Sequence, residues 1–414
     1  IDHYTYAIVT DGDMMEGISH EAASLAGHLR LGKLIYLYDD NHITIEGDTN
    51  ITFTEDVAAR FESYHWQVIR VDDGCDVKAI DTAIQEAKQD PRPSLIMCRT
   101  IIGYGMPNKQ GTPKAHGEPP GQEELLAAKR NLGWPESPSF YIPEEVKQHF
   151  RKAVEKGTAA EKEWNQCFDR YCAEYPQQAE ELTRRIRGEL PSGWDADLVS
   201  FTEDPMGMPL RAASGKVLNL IARRVPELVG GSGDLSPSTK TWLEGCPVVQ
   251  ADTPGGRNVH WGIREHAMAA AVNGMALHGG FIPFCSTYLV FSDYMRPAMR
   301  IASLSHIPSL WIFTHDSIGV GEDGPTHQAV EQLASLRAMP NLVVLRPADA
   351  NEVIAAWKYI LTHRQQPIAL VLARQSVPTL DREIFAPADG LLKGAYVLKD
   401  YGEGQPDLIL MASG

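Results

Sequence analysis

No stretch of this sequence stays apolar for the ~20 residues that a membrane-spanning helix requires, so no membrane partner is expected. Positive charge is also short. With 38 Lys and Arg against 54 Asp and Glu, the formal net charge is −16. That balance excludes a general binder of nucleic acid or anionic membranes, while a local basic pocket for phosphates remains open. Cysteine is sparse: Cys75, Cys98, Cys167, Cys172, Cys246 and Cys285 show neither a CxxC pair nor another zinc spacing. So loose a set reads as reduced thiols in a cytoplasmic protein rather than a disulfide framework. Short-period repeats and low-complexity tracts are missing as well.

What is present is alternation. Strand-like runs at 4–10, 33–40, 67–73 and 93–100 are separated by helical patterns such as 18–31, which lines Ala22, Leu25, Ala26 and Leu29 on one face. A polar helical region follows over 143–186, and "LPSGW" breaks it. From about residue 210 the alternation resumes, with a helix over 212–224 and strands near 227–230, 281–285, 309–314, 342–346 and 368–372. Strand–helix alternation predicts α/β architecture, two successive parallel sheets with helices on both faces. The expected division is 1–192, 193–392, and a linker with one more strand over 393–414. With a strand at the very start and an apolar "DLILMASG" at the end, the sequence reads as the interior of a longer protein.

Ligands of open α/β sheets bind beyond the carboxyl ends of strands. The first strand runs into "TDGDMMEG", which places Asp11 and Asp13 there, and the second ends in "LYDDNHITIEG", with Asp39, Asp40 and Asn41. Asp13 ahead of a helix reads as an N-cap. Asp11 and Asn41, thirty residues apart and each after a strand, suit a hard metal that shares a diphosphate. Asp11 followed by Asp13 also fits a haloacid-dehalogenase-like phosphatase, with Asp11 as nucleophile and Asp13 as acid–base. The Asp-Asp-Asn strand end and the whole second half are unexplained by that reading.

Asp11-Gly12 followed by Asn41 resembles the diphosphate motif of thiamine-diphosphate enzymes, with Thr10 in place of a glycine and Asp40 in place of an asparagine. The surrounding "DGDMMEGISHEAASLAGHLRLGKLIYLYDDNHITIEG" is similar to bacterial transketolase, and the likeness continues to the last residue. The resemblance implies thiamine diphosphate and Mg²⁺ as cofactors, with Ca²⁺ or Mn²⁺ as substitutes. The metal would sit on Asp11, Asn41 and the backbone carbonyl of Ile43. It also places Glu16 in a carboxylate network between two cofactors and His116 near both diphosphate and donor sugar.

In the second half, "HWGIREHAMAAAVNG" carries Glu265, which matches the glutamate that hydrogen-bonds the cofactor's aminopyrimidine ring. "STYLVFSDYMRPAMR" supplies Tyr288, Phe291 and Tyr294 as the aromatic pocket around that ring, Tyr288 standing where the family usually has Phe. "THDSIGVGEDGPTHQ" gives His315, Asp323 and His327 as sugar-binding residues. Arg211, Ser238 and Arg374 resemble the clamp for the sugar phosphate, and Asp234 a further cofactor-pocket residue.

The implied activity moves a two-carbon ketol unit from a ketose phosphate such as xylulose 5-phosphate to an aldose phosphate such as ribose 5-phosphate or erythrose 4-phosphate. The family's route uses the cofactor's ylid and an enamine, in the pentose phosphate pathway, with sites between the subunits of a homodimer. Dihydroxyacetone synthase and deoxyxylulose-phosphate synthase are neighbouring readings. A subunit of a split enzyme, weakly active or inactive alone, is another.

Overall fold

A computed structural model of the chain describes residues 2–402 and 404–414. Its contacts divide it into two compact units, 1–174 and 175–414.

Four strands build the sheet of the first unit: β1 (Thr5–Thr10), β2 (Leu34–Asp40), β3 (Gln67–Val71) and β4 (Ser94–Arg99), in the order β1-β2-β4-β3 and all parallel. Successive strand residues point to opposite faces, and the sequence uses both. Tyr38, Leu95 and Met97 join Phe61, Trp66 and the small residues Ala23 and Ala26 on one side. Ile35, Ile96 and Cys98 meet Ala83 and Ala87 of the helix Val77–Ala87 on the other. Helices therefore cover both faces, as a parallel sheet requires. Among the described residues β1 pairs with β2 alone, and Ile8 is 77% exposed on it. The polar region expected over 143–186 is two helices, Glu144–Glu174 and Pro176–Ile186, the second opening on a proline that suits a first helical turn.

The second unit centres on five parallel strands. These are β6 (Leu228–Ser232), β7 (Ile282–Tyr288), β8 (Leu310–Thr314), β9 (Val343–Leu345) and β10 (Ile368–Leu372), ordered β6-β7-β8-β10-β9. The helices Leu210–Arg224 and Ala350–Thr362 pack their apolar sides on one face, around Phe284, Ile312, Leu370 and Trp357. Glycine is dictated where β6 is squeezed: a Cβ on Gly230 would sit 2.1 Å from the Phe284 carbonyl oxygen, and one on Gly231 1.9 Å from that of Val259. The small antiparallel pair β5 (Asp204–Pro209) and β11 (Ser376–Thr379) adds a separate two-stranded sheet.

Residues 407–414 form no strand with the described residues. Leu408, Ile409, Leu410 and Met411 are exposed.

Candidate active site

In the first unit, β1 and β2 lie side by side with Thr10 opposite Asp39, so the residues that follow both strands emerge together. Asp11 is 2% exposed. Its Oδ1 accepts the Tyr38 hydroxyl hydrogen at 2.6 Å, and its Oδ2 accepts the His42 backbone N–H at 3.1 Å. Burial raises the Asp11 pKa, only partly opposed by the Tyr38 hydrogen bond, and neighbouring Asp40 raises it further. Among the described residues no lysine or arginine pairs with Asp11. The structure thus brings the expected carboxylate directly onto the 41–43 segment, where Asn41 Oδ1 accepts from Ile43 N–H at 2.9 Å.

Asp13 departs from its expected place. It is not the N-cap: Thr10 is, and Asp13 is the third residue of the short helix Asp11–Met15. The Asp13 carboxylate turns back to accept from the Thr10 N–H at 2.8 Å and the Thr10 hydroxyl at 2.9 Å. The two acids therefore face different ways, which removes Asp13 as the acid–base of a phosphatase acting beside Asp11.

Asp39 and Asp40 are occupied. Asp39 accepts from the Thr100 hydroxyl, and Asp40 lies 2.9 Å from His42 Nε2 and takes Arg99 on its backbone oxygen at 2.8 Å. Glu16 is exposed at the junction of Asp11–Met15 with the helix Gly17–His28. His116 is exposed at the end of the turn Pro113–Ala115. Its loop reaches the metal-side segment, since a Cβ on Gly117 would lie 3.8 Å from Ile45 Cδ1. At Gly12 a Cβ would meet nothing nearer than Thr10 Oγ1 at 3.9 Å, so packing within the chain does not require the glycine there.

No group of three His, Cys, Asp or Glu poised for a metal occurs among the described residues. The expected donor set contains only one such residue, Asp11, beside an amide and a carbonyl oxygen. A buried carboxylate without a cationic partner, next to oxygen donors, fits a hard divalent ion.

In the second unit, adjacent strand ends again converge. Asp234 follows β6, Tyr288 ends β7, His315 follows β8 and Arg374 follows β10. Tyr288 sits opposite Thr314 in register, and its ring stacks on His315 with centroids 3.7 Å apart. Phe291 stacks parallel to Tyr288 at 5.9 Å, and His327 stands edge-on to Phe291 at 5.4 Å. Tyr294 continues the series at 6.2 Å from Phe291 but is 64% exposed. The aromatic trio is thus not one helical stripe: Tyr288 closes a strand, Phe291 a short turn, and Tyr294 belongs to the helix Ser292–Leu304.

His315 is buried with φ of 58°. Burial, then the nearby Arg211 charge, lowers its pKa to about 4. Arg211 donates to the Ser238 carbonyl at 2.7 Å. Arg374 donates to Glu322 at 2.9 Å and lies 4.0 Å from Asp323 Oδ2. That Asp323 oxygen is buried without a hydrogen-bond partner. Glu265 is buried as the first residue of the helix Glu265–His278, and Asp234 is exposed with φ of 63°.

Two supports escaped the sequence reading. Tyr38 belongs to the site through Asp11, and its only signal was a place on the same strand face as Tyr36. Arg346 is the other. It bonds Asp316, the neighbour of His315, at 2.9 Å and the Ser413 carbonyl at 2.8 Å.

Residues 1–191 match the family described as the transketolase thiamine diphosphate binding domain, and 206–379 match the transketolase pyrimidine binding domain. The chloroplastic transketolase of Craterostigma plantagineum is 47% identical over 418 aligned residues, covering all of this chain and 80% of that protein. The transketolases of Aquifex aeolicus and Bacillus subtilis are each 50% identical across the whole chain, which spans 59% and 62% of their lengths. This chain is thus about 60% as long as most such relatives. A Pichia stipitis transketolase solved in complex with sedoheptulose 7-phosphate superposes with a TM-score of 0.93 at 41% identity, over 97% of this chain and 60% of that one. The Leishmania mexicana enzyme gives 0.92 at 40%, over 96% and 59%. With the two strand-end clusters in place and the likeness running through both units, the chain belongs to the transketolase family.

Proposed function

We propose that the protein containing this chain transfers a two-carbon ketol unit between phosphorylated sugars, as a homodimeric cytoplasmic transketolase of the pentose phosphate pathway. The supporting observation is the buried Asp323 oxygen, without a hydrogen-bond partner and set among Arg211, Arg374, His315 and His327. A donor hydroxyl satisfies such an acceptor, while guanidinium forks suit a phosphate at the sugar's far end.

Thiamine diphosphate, when bound, supplies a nucleophilic carbon and an electron sink for C–C cleavage. Asp11, Asn41 and the Ile43 carbonyl would hold Mg²⁺, with Tyr38 and His42 fixing the Asp11 carboxylate from behind. Gly12 leaves room for close approach of a diphosphate. Glu265 would carry the hydrogen bond to the pyrimidine, and Tyr288 and Phe291 would offer flat faces to it. His315, neutral at physiological pH, offers one ring nitrogen to the substrate, since Thr314 Oγ1 lies 2.9 Å from its Nδ1. To His327 and His116 we assign proton exchange at the sugar. Glu16 and Asp234 are assigned to the cofactor side, and Ser238, which holds Arg211, to the phosphate clamp. For the division of the chain we keep 1–192 and 193–392 as the diphosphate and pyrimidine domains.

Turnover of xylulose 5-phosphate with ribose 5-phosphate by the full polypeptide, dependent on thiamine diphosphate and Mg²⁺, tests the reading. Cofactor binding without any ketol transfer would overturn it.

A further inference from the structure

The helix Leu210–Arg224 has two working sides. Ala213, Val217, Leu218 and Ile221 are buried in the core. Its outer side floors a cavity of about 860 Å³ that lies wholly within the second unit. Three aromatic rings line the cavity, Phe201, Trp242 and His260, with Trp242 and His260 5.5 Å apart. Three cations line it too: Lys216, Arg223 and Lys240. Lys216 Nζ lies 6.0 Å from the Phe201 ring centroid.

Among the described residues, none of these three cations forms an ion pair, whereas the adjoining Arg224 is bridged to Asp197 at 2.8 Å. Glu244 is the one acid of the lining, and Asn219 anchors its backbone N–H at 2.8 Å. Asn219 also donates to the Trp242 carbonyl at 3.0 Å, so the aromatic wall is held by side-chain hydrogen bonds. In a chain of net charge −16, three cations against one acid around an otherwise apolar, aromatic hollow are a specific charge arrangement. Pockets of this size and lining take small molecules whose few polar groups are matched by placed charges.

We propose that this cavity binds a small aromatic anion, a planar ring system carrying a phosphate. The ring lies against Trp242, Phe201 and His260, and the phosphate meets Lys216, Arg223 and Lys240. The site is separate from the sugar-phosphate clamp yet shares a wall with it. Ser236 and Pro237 line the cavity, and the same turn, Ser236–Thr239, presents the Ser238 carbonyl to Arg211.

The test is calorimetric titration of the full polypeptide with 1-naphthyl phosphate, 1-naphthol and inorganic phosphate. The phosphate ester is expected to bind about tenfold or more tighter than either part alone, as joined apolar and charged contacts require. Lys216→Glu and, as a milder change at this exposed position, Lys216→Gln should each weaken it. Trp242→Ala should do so as well, with circular dichroism confirming the fold. Arg374→Ala should leave it unchanged. The proposal is overturned if Arg374→Ala abolishes binding while Lys216→Glu spares it, if 1-naphthol binds as tightly as its phosphate, or if the full polypeptide binds none of the three because other parts of it fill the cavity.

Discussion

Tyr38 reaches across from the neighbouring parallel strand and places its hydroxyl 2.6 Å from Asp11 Oδ1. The bond orients a carboxylate that also accepts the His42 N–H. Groups behind a metal ligand typically change affinity by about 10–100-fold when removed. Tyr38→Phe should therefore weaken Mg²⁺ binding in the presence of thiamine diphosphate by roughly tenfold. A metal titration with unchanged affinity would show that Asp11 needs no such support.

Asp11 and Asp13 should separate cleanly under mutation. Asp13→Ala removes the carboxylate that caps Thr10 and should cost about 1 kcal/mol in stability without altering metal dependence. Asp11→Asn should abolish the Mg²⁺ requirement's normal range and leave the melting temperature little changed. If Asp13→Ala instead raises the Mg²⁺ concentration needed for activity, the division of labour is wrong.

A different split is expected in the second unit. Glu265→Gln should remove turnover while thiamine diphosphate with Mg²⁺ still binds, because the residues proposed for the metal and diphosphate, Asp11, Asn41 and Ile43, are untouched. Asp323→Ala should spare cofactor affinity and raise KM for hydroxylated donors, since it deletes a buried acceptor that awaits a donor. Equal loss of cofactor affinity in both variants would reverse these assignments.

His315 offers a pH test. Its folded pKa, lowered from 6.5 to about 4 by burial and Arg211, keeps the ring neutral across the physiological range. Between these values the unfolded chain binds more protons than the folded one. The His315 contribution to stability therefore rises with pH through that window and is flat above it. Histidine NMR should show His315 unmoved from pH 7.5 to 5.5. A midpoint near 6.5 would refute the burial argument.

Asp349 is fully buried and caps the helix Ala350–Thr362 while Arg382 holds it at 2.7 Å. Arg382→Met strips the charge partner from a buried acid, so chemical denaturation should register a loss of about 3–5 kcal/mol. A change under ~0.5 kcal/mol, the size of an ordinary surface substitution, would mean the pair is dispensable.

Much of the architecture could be read from residue order because the β-rich runs are continuous and apolar. β4, β8 and β10 are buried on both faces, which leaves little ambiguity about where they begin and end. β5 escaped notice because "DPMGMP" carries proline and glycine instead of strand formers, and it exists only through pairing with β11. The strand-end clusters were legible for the same reason as the strands. Side-chain direction was not: Asp13 resembles a cap in sequence, yet Thr10 takes that position and turns Asp13 into its partner. Tyr38 and Arg346 act only through their neighbours in space, so no spacing along the chain announces them.

Arg346 grips both Asp316 and Ser413, and this has a practical side. The turn that presents His315 is wired through one guanidinium to the carboxyl-terminal residues of this chain. A bulky label placed on Ser413 would therefore disturb the guanidinium that also holds Asp316, next to His315.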